Sequence, residues 1–174
     1  HSEDNPYIPQ DYLKALLAQY GPHERAARAR GEWTSMEGLV YPFNRQLHVV
    51  EPFDPDPSWE RVAGIDFGTR NPFCYLLAAI DPSDDVLHLY RCHYQTEWTL
   101  KQHAEAIRDL TDVWPQWIVA DCEDRGSRLS LAREYDMQTT PSRKGKGSVR
   151  AGINRVCERL NPDVEGRPHL VIHD

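Results

Sequence analysis

The sequence predicts an α/β fold in which a mixed β-sheet is flanked by helices. Three apolar segments at residues 61–68, 73–80 and 86–93 follow one another with short connections, which is typical of an antiparallel meander. The segment 73–80 is nearly all apolar, so we expect it to be buried on both faces of the sheet. Farther along the chain, helical and strand patterns alternate, as they do in α/β domains.

The second half of the chain predicts three helices and two further strands. Apolar residues recur at helical spacing over 99–113, 127–135 and 149–160, whereas 117–120 and 170–172 are short apolar runs typical of strands. The predicted order of elements is therefore β-β-β-α-β-α-α-β. Of the 174 residues, 40% are hydrophobic and 27% are charged, which supplies enough apolar material for one core.

The first 60 residues have a different character. Leu and Tyr residues at helical spacing predict helices within 1–31. Residues 32–60 are expected to be irregular, because three of the six residues from 52 to 57 are prolines. We therefore expect a linker or extension over 1–60 and a sheet-bearing domain over 61–174.

Charge and cysteine content argue against several classes of protein. The net charge of −7 disfavours a simple polyanion binder, although seven basic and four acidic side chains give residues 141–174 a net charge of +3. The four cysteines include no C-x-x-C pair, so we expect reduced, mostly buried thiols rather than structural zinc or disulfides. No apolar run approaches the roughly 20 residues of a membrane span, and the first residues lack the pattern of a signal peptide.

Two predicted strands end in an aspartate, which makes Asp66 and Asp121 the leading site candidates. If these strands are adjacent and parallel, both carboxylates leave the sheet at one edge, with the strands about 4.8 Å apart. One or two Mg²⁺ or Mn²⁺ ions could then bind between them, activate water and stabilise the leaving oxygen in phosphodiester cleavage. An aspartate after a strand also commonly forms a turn or caps a helix, and this structural alternative stays open for both residues.

Residues beside these aspartates extend the candidate site. Glu123 and Asp124 follow Asp121 closely and could bind a metal or orient a metal-bound water. Gly68 follows Asp66 and has no side chain, so it would let a substrate backbone approach closely.

A basic, glycine-rich stretch precedes the last predicted helix. It contains Arg143, Lys144, Lys146 and Arg150, and cations beside the backbone N–H groups of a helix start suit a phosphate. The stretch does not match Gly-x-x-x-x-Gly-Lys-Ser/Thr, so a Walker phosphate loop is not predicted. A solvated loop is the alternative interpretation.

The histidines and serines do not match the common hydrolase patterns. The eight histidines are scattered without the spacing of a metalloprotease helix, and no Gly-x-Ser-x-Gly motif occurs. We expect His88, His93, His103 and His173 to be surface residues or structurally satisfied ones.

Several motifs, in order along the chain, resemble a known family, the large terminase subunit of tailed bacteriophages. The resemblance is to its C-terminal nuclease domain and covers about residue 10 to the end. The motifs are Gly31-Glu32-Trp33, Gly38-Leu39-Val40-Tyr41, Ala63-Gly64-Ile65-Asp66-Phe67-Gly68, Ile118-Val119-Ala120-Asp121 and the run from Lys144 to Ile153.

The resemblance implies a ribonuclease H-like fold and two-metal endonuclease chemistry, with Mg²⁺ or Mn²⁺, that cuts concatemeric double-stranded viral DNA. The family's metal-binding aspartates map to Asp66 and Asp121, and the stretch from Lys144 lies near its active site. A third metal-binding aspartate of the family usually follows the last strand. Either Asp174 stands in for it or truncation at the C-terminus has removed it. We expect truncation, and therefore weak or absent cutting by this chain.

The resemblance also implies partners and a location. The family carries a motor ATPase domain with a Walker motif, which this sequence lacks, so we expect an excised nuclease domain with its preceding linker. The implied partners are double-stranded DNA, the ATPase domain, a small terminase subunit and the portal, without a membrane. The implied location is the cytoplasm of the infected bacterial host.

Two other functions fit parts of the sequence. The run Gly64 to Thr69 also resembles the first phosphate loop of sugar kinases and actin-like ATPases. That fold requires a second such lobe and a Gly-Gly adenosine motif, and the 174 residues contain neither. The non-enzymatic alternative is a scaffold or DNA-clamp domain of the packaging motor with vestigial acidic residues.

Overall fold

A mixed sheet of seven strands forms the centre of the described structure. The computed structural model describes residues 40–68 and 71–174, so the helices predicted within 1–31 lie outside the described residues. The strands are β1 (Val49–Val50), β2 (Glu60–Asp66), β3 (Phe73–Asp81), β4 (Val86–Gln95), β5 (Trp117–Ala120), β6 (Thr140–Pro141) and β7 (Leu170–His173). Their order across the sheet is β1-β7-β4-β3-β2-β5-β6.

The described residues also form four helices. These are α1 (Arg45–His48), α2 (Leu100–Leu110), α3 (Arg125–Glu134) and α4 (Ser148–Leu160). Local sequence explains where two of them begin: Thr99 and Gln102 form a reciprocal capping box at α2, and the Asp124 side chain accepts the Ser127 amide at α3. No helix within the described ranges is long and apolar enough to cross a membrane. The predicted α/β class is confirmed.

Strands β2, β3 and β4 form the predicted antiparallel meander. Glu60 lies opposite Ile80 in the first pair, and Phe73 lies opposite Gln95 in the second. On either side of this meander the pairing becomes parallel, because β5 joins β2 and β7 joins β4 in the same direction. The carboxyl ends of β2 and β5 therefore point the same way, which positions the site described below.

Helices of the described part cover one face of the sheet at its centre. Ile65 and Ile118 point to this face and pack with Ile107 of α2 and Leu131 of α3. Side chains alternate between faces along a strand, so Leu76 points to the opposite face, where it is 37% exposed. The prediction that β3 is buried on both faces is wrong at this residue, because the covering helices lie on the other side.

Three short elements lie where the sequence predicts none. Helix α1 and strand β1 fall within 32–60, and β1 pairs in parallel with β7. Buried His48 anchors them, since its Nε2 lies 2.8 Å from the carbonyl oxygen of Leu160 at the end of α4. Strand β6 is the third of these unpredicted elements.

Residues 41–174 cluster as one compact unit, whereas the division of the whole protein at residue 60 stays a prediction.

The cysteines are free, as predicted, but they are not buried. Cys92 is exposed, and Cys74, Cys122 and Cys157 are only partly buried. Cys74 and Cys92 share the uncovered face of the sheet with Leu76, which accounts for their exposure.

A buried arginine ties the start of β2 to the segments around it. Arg61 is 1% exposed, and its Nε donates to the Tyr90 hydroxyl at 2.8 Å. Its terminal nitrogens donate to three carbonyls of the preceding proline-rich segment, namely those of Pro55, Asp56 and Trp59. The Tyr90 hydroxyl donates in turn to Asp112 at 2.6 Å, and Arg61 lies 3.7 Å from the same carboxylate. One guanidinium group therefore satisfies polar groups from several segments of the fold.

Replacing Arg61 with Met is expected to lower the free energy of unfolding by about 3–5 kcal/mol, because it leaves buried acceptors without their donor. Urea denaturation of the purified chain measures this loss. The matched control is Arg155→Met on α4, where the side chain is 84% exposed and a change within about 0.5 kcal/mol is expected. Equal losses in the two variants would contradict the structural role of Arg61.

Two buried histidines form a second polar pair in the core. His93 Nε2 lies 2.8 Å from His103 Nδ1, and the His103 ring stacks on Phe73 with ring centroids 4.0 Å apart. Burial lowers the pKa of His93, and burial together with its neighbour His93 lowers the pKa of His103. The expectation that these histidines are structurally satisfied is confirmed.

The lowered pKa values predict a loss of stability in mild acid. In the unfolded chain these histidines bind protons below about pH 6.5, the ordinary histidine pKa, whereas in the folded chain they stay neutral to a lower pH. The free energy of unfolding therefore falls as the pH drops from about 6.5 through the pKa of the folded state. Urea midpoints at pH 7.5 and 5.5 measure the loss. His93→Leu/His103→Leu is expected to show a smaller loss between these pH values than the unchanged chain, and an identical loss would refute the assignment.

Candidate active site

The structure brings the two predicted aspartates to one edge of the sheet. Strands β2 and β5 are adjacent and parallel, and their last paired residues are Ile65 and Ala120. Asp66 and Asp121 come next on each strand, so they leave the sheet side by side, with their strands about 4.8 Å apart. Their predicted proximity is confirmed.

Both aspartates line a cavity of about 450 Å³ on the uncovered face of the sheet. Gly64, Cys74 and Leu76 contribute to its floor, and Lys144 lies at its rim. Burial raises the pKa of the Cys74 thiol, and the negative charge of Asp66 adds to this rise. The cavity is therefore an open, partly apolar cleft with carboxylates at one end.

Lys144 forms ion pairs with Asp121 and Glu123 at the end of the cleft. Its Nζ lies 3.0 Å from Asp121 Oδ1 and 3.0 Å from Glu123 Oε1. The Glu123 amide, and after it the Lys144 ammonium, hold the pKa of Asp121 below its usual value. Hydrogen bonds to Asp121 and Glu123 raise the pKa of Lys144 to about 12. The ammonium group is thus a cation bound between two carboxylates.

The loop after β6 is what places Lys144 there. The Ser142 amide donates to the Ala120 carbonyl at 2.7 Å, and the Ser142 hydroxyl accepts the Cys122 amide at 3.2 Å. These bonds join the loop to the carboxyl end of β5, two residues before Lys144. The basic stretch predicts phosphate binding by Lys144, but its contacts with Asp121 and Glu123 could not be predicted, because no local pattern shows that β6 pairs with β5.

Two other predicted metal ligands are not part of this cluster. Both carboxylate oxygens of Asp124 bind Ser127, through its amide at 2.9 Å and its hydroxyl at 2.8 Å, so this residue caps α3. Asp174 follows β7, which lies three strands from β2, or about 14 Å across the sheet. Its carboxylate binds Arg45 at 2.6 Å instead. Within the described ranges, no three His, Cys, Asp or Glu side chains are grouped so that they could hold a metal ion.

The remaining residues of the basic stretch are exposed to solvent. Arg143, Lys146 and Arg150 surround the start of α4, where Gly147 adopts a positive φ of 85° that favours glycine. They lie close in sequence to Lys144 but do not line the cavity, and their contact with phosphate stays a prediction.

Gly68 has a structural reason to lack a side chain. A Cβ atom at this position would collide with the backbone oxygens of Asn71 and Pro72. The expectation that Gly68 lets a substrate backbone approach closely stays a prediction.

Comparison with proteins of known sequence finds terminase large subunits from three phages. The chain is 25% identical over 177 residues to that of Enterobacteria phage LP7, covering 94% of this chain and 36% of the relative. Identity to the Salmonella phage P22 protein is also 25%, with 34% of it covered, and to the Escherichia phage T5 protein 24%. The chain spans about a third of the length of these relatives. No family model matches the chain.

Solved structures show the same fold. The P22 large terminase nuclease domain matches with a TM-score of 0.61 at 19% identity, covering 79% of this chain and 73% of that one. The nuclease domain of the SPP1 large terminase, solved with bound Mn, matches with a TM-score of 0.56 at 18% identity, covering 74% and 70%. The resemblance to terminase large subunits is confirmed, and the chain shares the fold of the solved terminase nuclease domains.

Replacing Lys144 with Met is expected to raise the pKa of Asp121, because it removes the ammonium that stabilises the ionised carboxylate. Carbon-detected NMR titration of the Asp121 side chain measures this change. Lys146→Met removes an exposed charge two residues away and should leave the titration of Asp121 unchanged. If the Asp121 carboxylate titrates at the same pH in the Lys144 variant as in the unchanged chain, the ion pair does not form in solution.

Proposed function

We propose that this chain is the metal-dependent endonuclease domain of a viral DNA-packaging terminase, which cuts concatemeric double-stranded DNA by two-metal phosphodiester hydrolysis. The observation that carries the proposal is the pair Asp66 and Asp121, side by side at the ends of adjacent parallel strands. The shared fold with terminase nuclease domains supports it.

The donor set fits a divalent cation. Asp66 and Asp121 offer carboxylate oxygens, which are the ligands that Mg²⁺ and Mn²⁺ prefer. Glu123 would join them by leaving Lys144, since no three acidic side chains of the described residues are grouped around a metal position. Lys144 already occupies the space between Asp121 and Glu123 as a positive charge, so this end of the cleft favours cations. A divalent cation bound there would stabilise the negative charge that develops on a phosphodiester during hydrolysis. The Mn reported for the SPP1 domain agrees with this chemistry.

The protein's own residues would have separate tasks. Asp66 and Asp121 would hold the metal from two strands, and Glu123 would assist from the loop after β5. Lys144 would leave its carboxylates as the metal enters and then face the phosphate. The exposed cations Arg143, Lys146 and Arg150 would hold neighbouring phosphates of the duplex, because guanidinium and ammonium groups pair with phosphate oxygens.

The setting of this activity is proposed from the relatives. Terminase large subunits are about three times as long as this chain, since it covers 34–36% of them. We place it beside an ATPase domain, a small terminase subunit and the portal in the cytoplasm of an infected bacterium. A DNA clamp without catalysis is the second candidate, favoured by the ion pairs that Lys144 makes with the acidic residues.

Asp66→Asn and Asp121→Asn are each expected to reduce Mn²⁺-dependent cutting of a supercoiled plasmid at least 100-fold, because each removes a metal-binding charge from the cleft. Gel analysis of plasmid linearisation, with and without a chelator, measures cutting. Electron paramagnetic resonance of free Mn²⁺ measures metal binding in parallel, so weak cutting by this chain does not obscure the result.

The matched control is Asp109→Asn on α2, an exposed residue outside the cleft, which should cut and bind Mn²⁺ like the unchanged chain. Metal binding and cutting that persist in both cleft variants would overturn the proposed site. Duplex binding without Mn²⁺ binding or cutting would support the clamp instead.

A further inference from the structure

A second polar cavity lies between α3 and the edge strand β6. Its volume is about 300 Å³. Its walls carry the guanidinium groups of Arg125 and Arg128, the amide of Gln138 and the hydroxyl of Thr139, with Leu129 and Ala132 between them. All four polar side chains can donate hydrogen bonds, and no carboxylate of the described residues lines the cavity. We name this cavity the Arg125–Arg128 groove.

The two arginines of the groove lack acidic partners within the described residues. Arg128 makes one long hydrogen bond, from Nε to Thr139 Oγ1 at 3.4 Å, and the Arg125 side chain has no ion pair or hydrogen bond there. Arg159 differs, because both carboxylate oxygens of Asp85 bind it at 3.1–3.2 Å. The groove therefore holds two positive charges that nothing in this part of the chain neutralises.

Their position on the helix is unfavourable for stability. Arg125 is the first residue of α3 and Arg128 is in its first turn, where the helix dipole disfavours cations, and the carboxylate of the capping residue Asp124 binds Ser127 rather than either arginine. Both residues lie three positions apart on α3 and line the groove, with Arg125 exposed and Arg128 half-buried. Without a carboxylate partner among the described residues, their guanidinium groups are available to an anion.

The groove begins beside the candidate active site. Arg125 follows Glu123 by two residues, or at most about 7 Å of extended backbone, and its amide donates to the Glu123 carbonyl. On the other wall, Thr139 precedes β6, and β6 leads directly into the loop that carries Lys144. Both walls of the groove are therefore continuous with segments that form the cleft.

We propose that the Arg125–Arg128 groove binds a backbone phosphate of the duplex that flanks the scissile bond. This inference rests on the proposed nuclease function and adds a contact on the α3 side of the cleft, away from the basic stretch. Arginine suits the task because its planar fork can donate two parallel hydrogen bonds to one phosphate.

The test measures binding of a fluorescent 30-base-pair duplex to the whole chain in EDTA, at salt concentrations from 25 to 200 mM. Removing one phosphate contact should lower the slope of log affinity against log salt by about one. We expect this loss for Arg125→Gln and about twice the loss for Arg125→Gln/Arg128→Gln. Neither change should lower the melting temperature, because both remove cations from the first turn of α3.

The matched control is Arg133→Gln, which removes the same charge from the last turn of α3, outside the groove. An unchanged slope and affinity in this control supports the inference. An equal loss of salt slope in the Arg133 control, or no loss in the groove variants, would overturn the inference about the groove. Plasmid cutting by the unchanged chain would in that case still support the proposed nuclease function. If the unchanged chain neither binds nor cuts DNA, the proposed function fails as well. A thermal shift with inorganic phosphate that depends on both arginines, without an effect on duplex binding, would assign the groove to a free anion and overturn the inference.

Discussion

The parallel pairing of β2 with β5 is the constraint on which the candidate site depends. Asp66 and Asp121 are separated by more than fifty residues, and they become neighbours only because Ile65 pairs with Ala120. A slip of β5 by one residue would turn Asp121 toward the covered face, beneath α3, because side chains alternate along a strand. The backbone of buried Arg61 fixes the start of this pairing, since its carbonyl accepts the Gln116 amide at 2.9 Å. The register between β2 and β5 inside the sheet thus determines where Asp66 and Asp121 lie at its edge.

Charge at that edge is partly neutralised within the protein. Asp121 and Glu123 share the ammonium of Lys144, which reduces the repulsion that carboxylates on one side of a cleft would otherwise experience. The ion pairs are partly exposed, and such pairs contribute little to stability, so separating the ammonium from its carboxylates costs little free energy. In the proposed function, the loop that carries Lys144 could therefore give up these ion pairs to a metal and turn its ammonium toward a phosphate. Its attachment to β5 through Ser142 keeps these two positions close together.

Much of this arrangement follows from local sequence. The long strands, helix α2 with its Thr99 cap and the strand-terminal Asp66 and Asp121 have apolar periodicity or capping residues that predict them. The parts that could not be predicted depend on contacts between distant segments. Strands β1 and β6 have two residues each, too few for a periodic pattern, and β6 contains a proline. The partners of Lys144 and Arg61 are likewise set by pairing across the sheet, and Asp174 is excluded from the cleft only by the strand order.

The hydrogen bond between His48 and the Leu160 carbonyl has a mechanical consequence. It joins the segment where the chain enters this unit to the last residue of α4, a helix of 13 residues and about 20 Å in length. The opposite end of that helix carries Gly147 and the loop with Lys144. One rigid helix therefore separates the segment around His48 from the loop with Lys144, and hydrogen bonds hold both of its ends, to His48 at one and, through Ser142, to the end of β5 at the other.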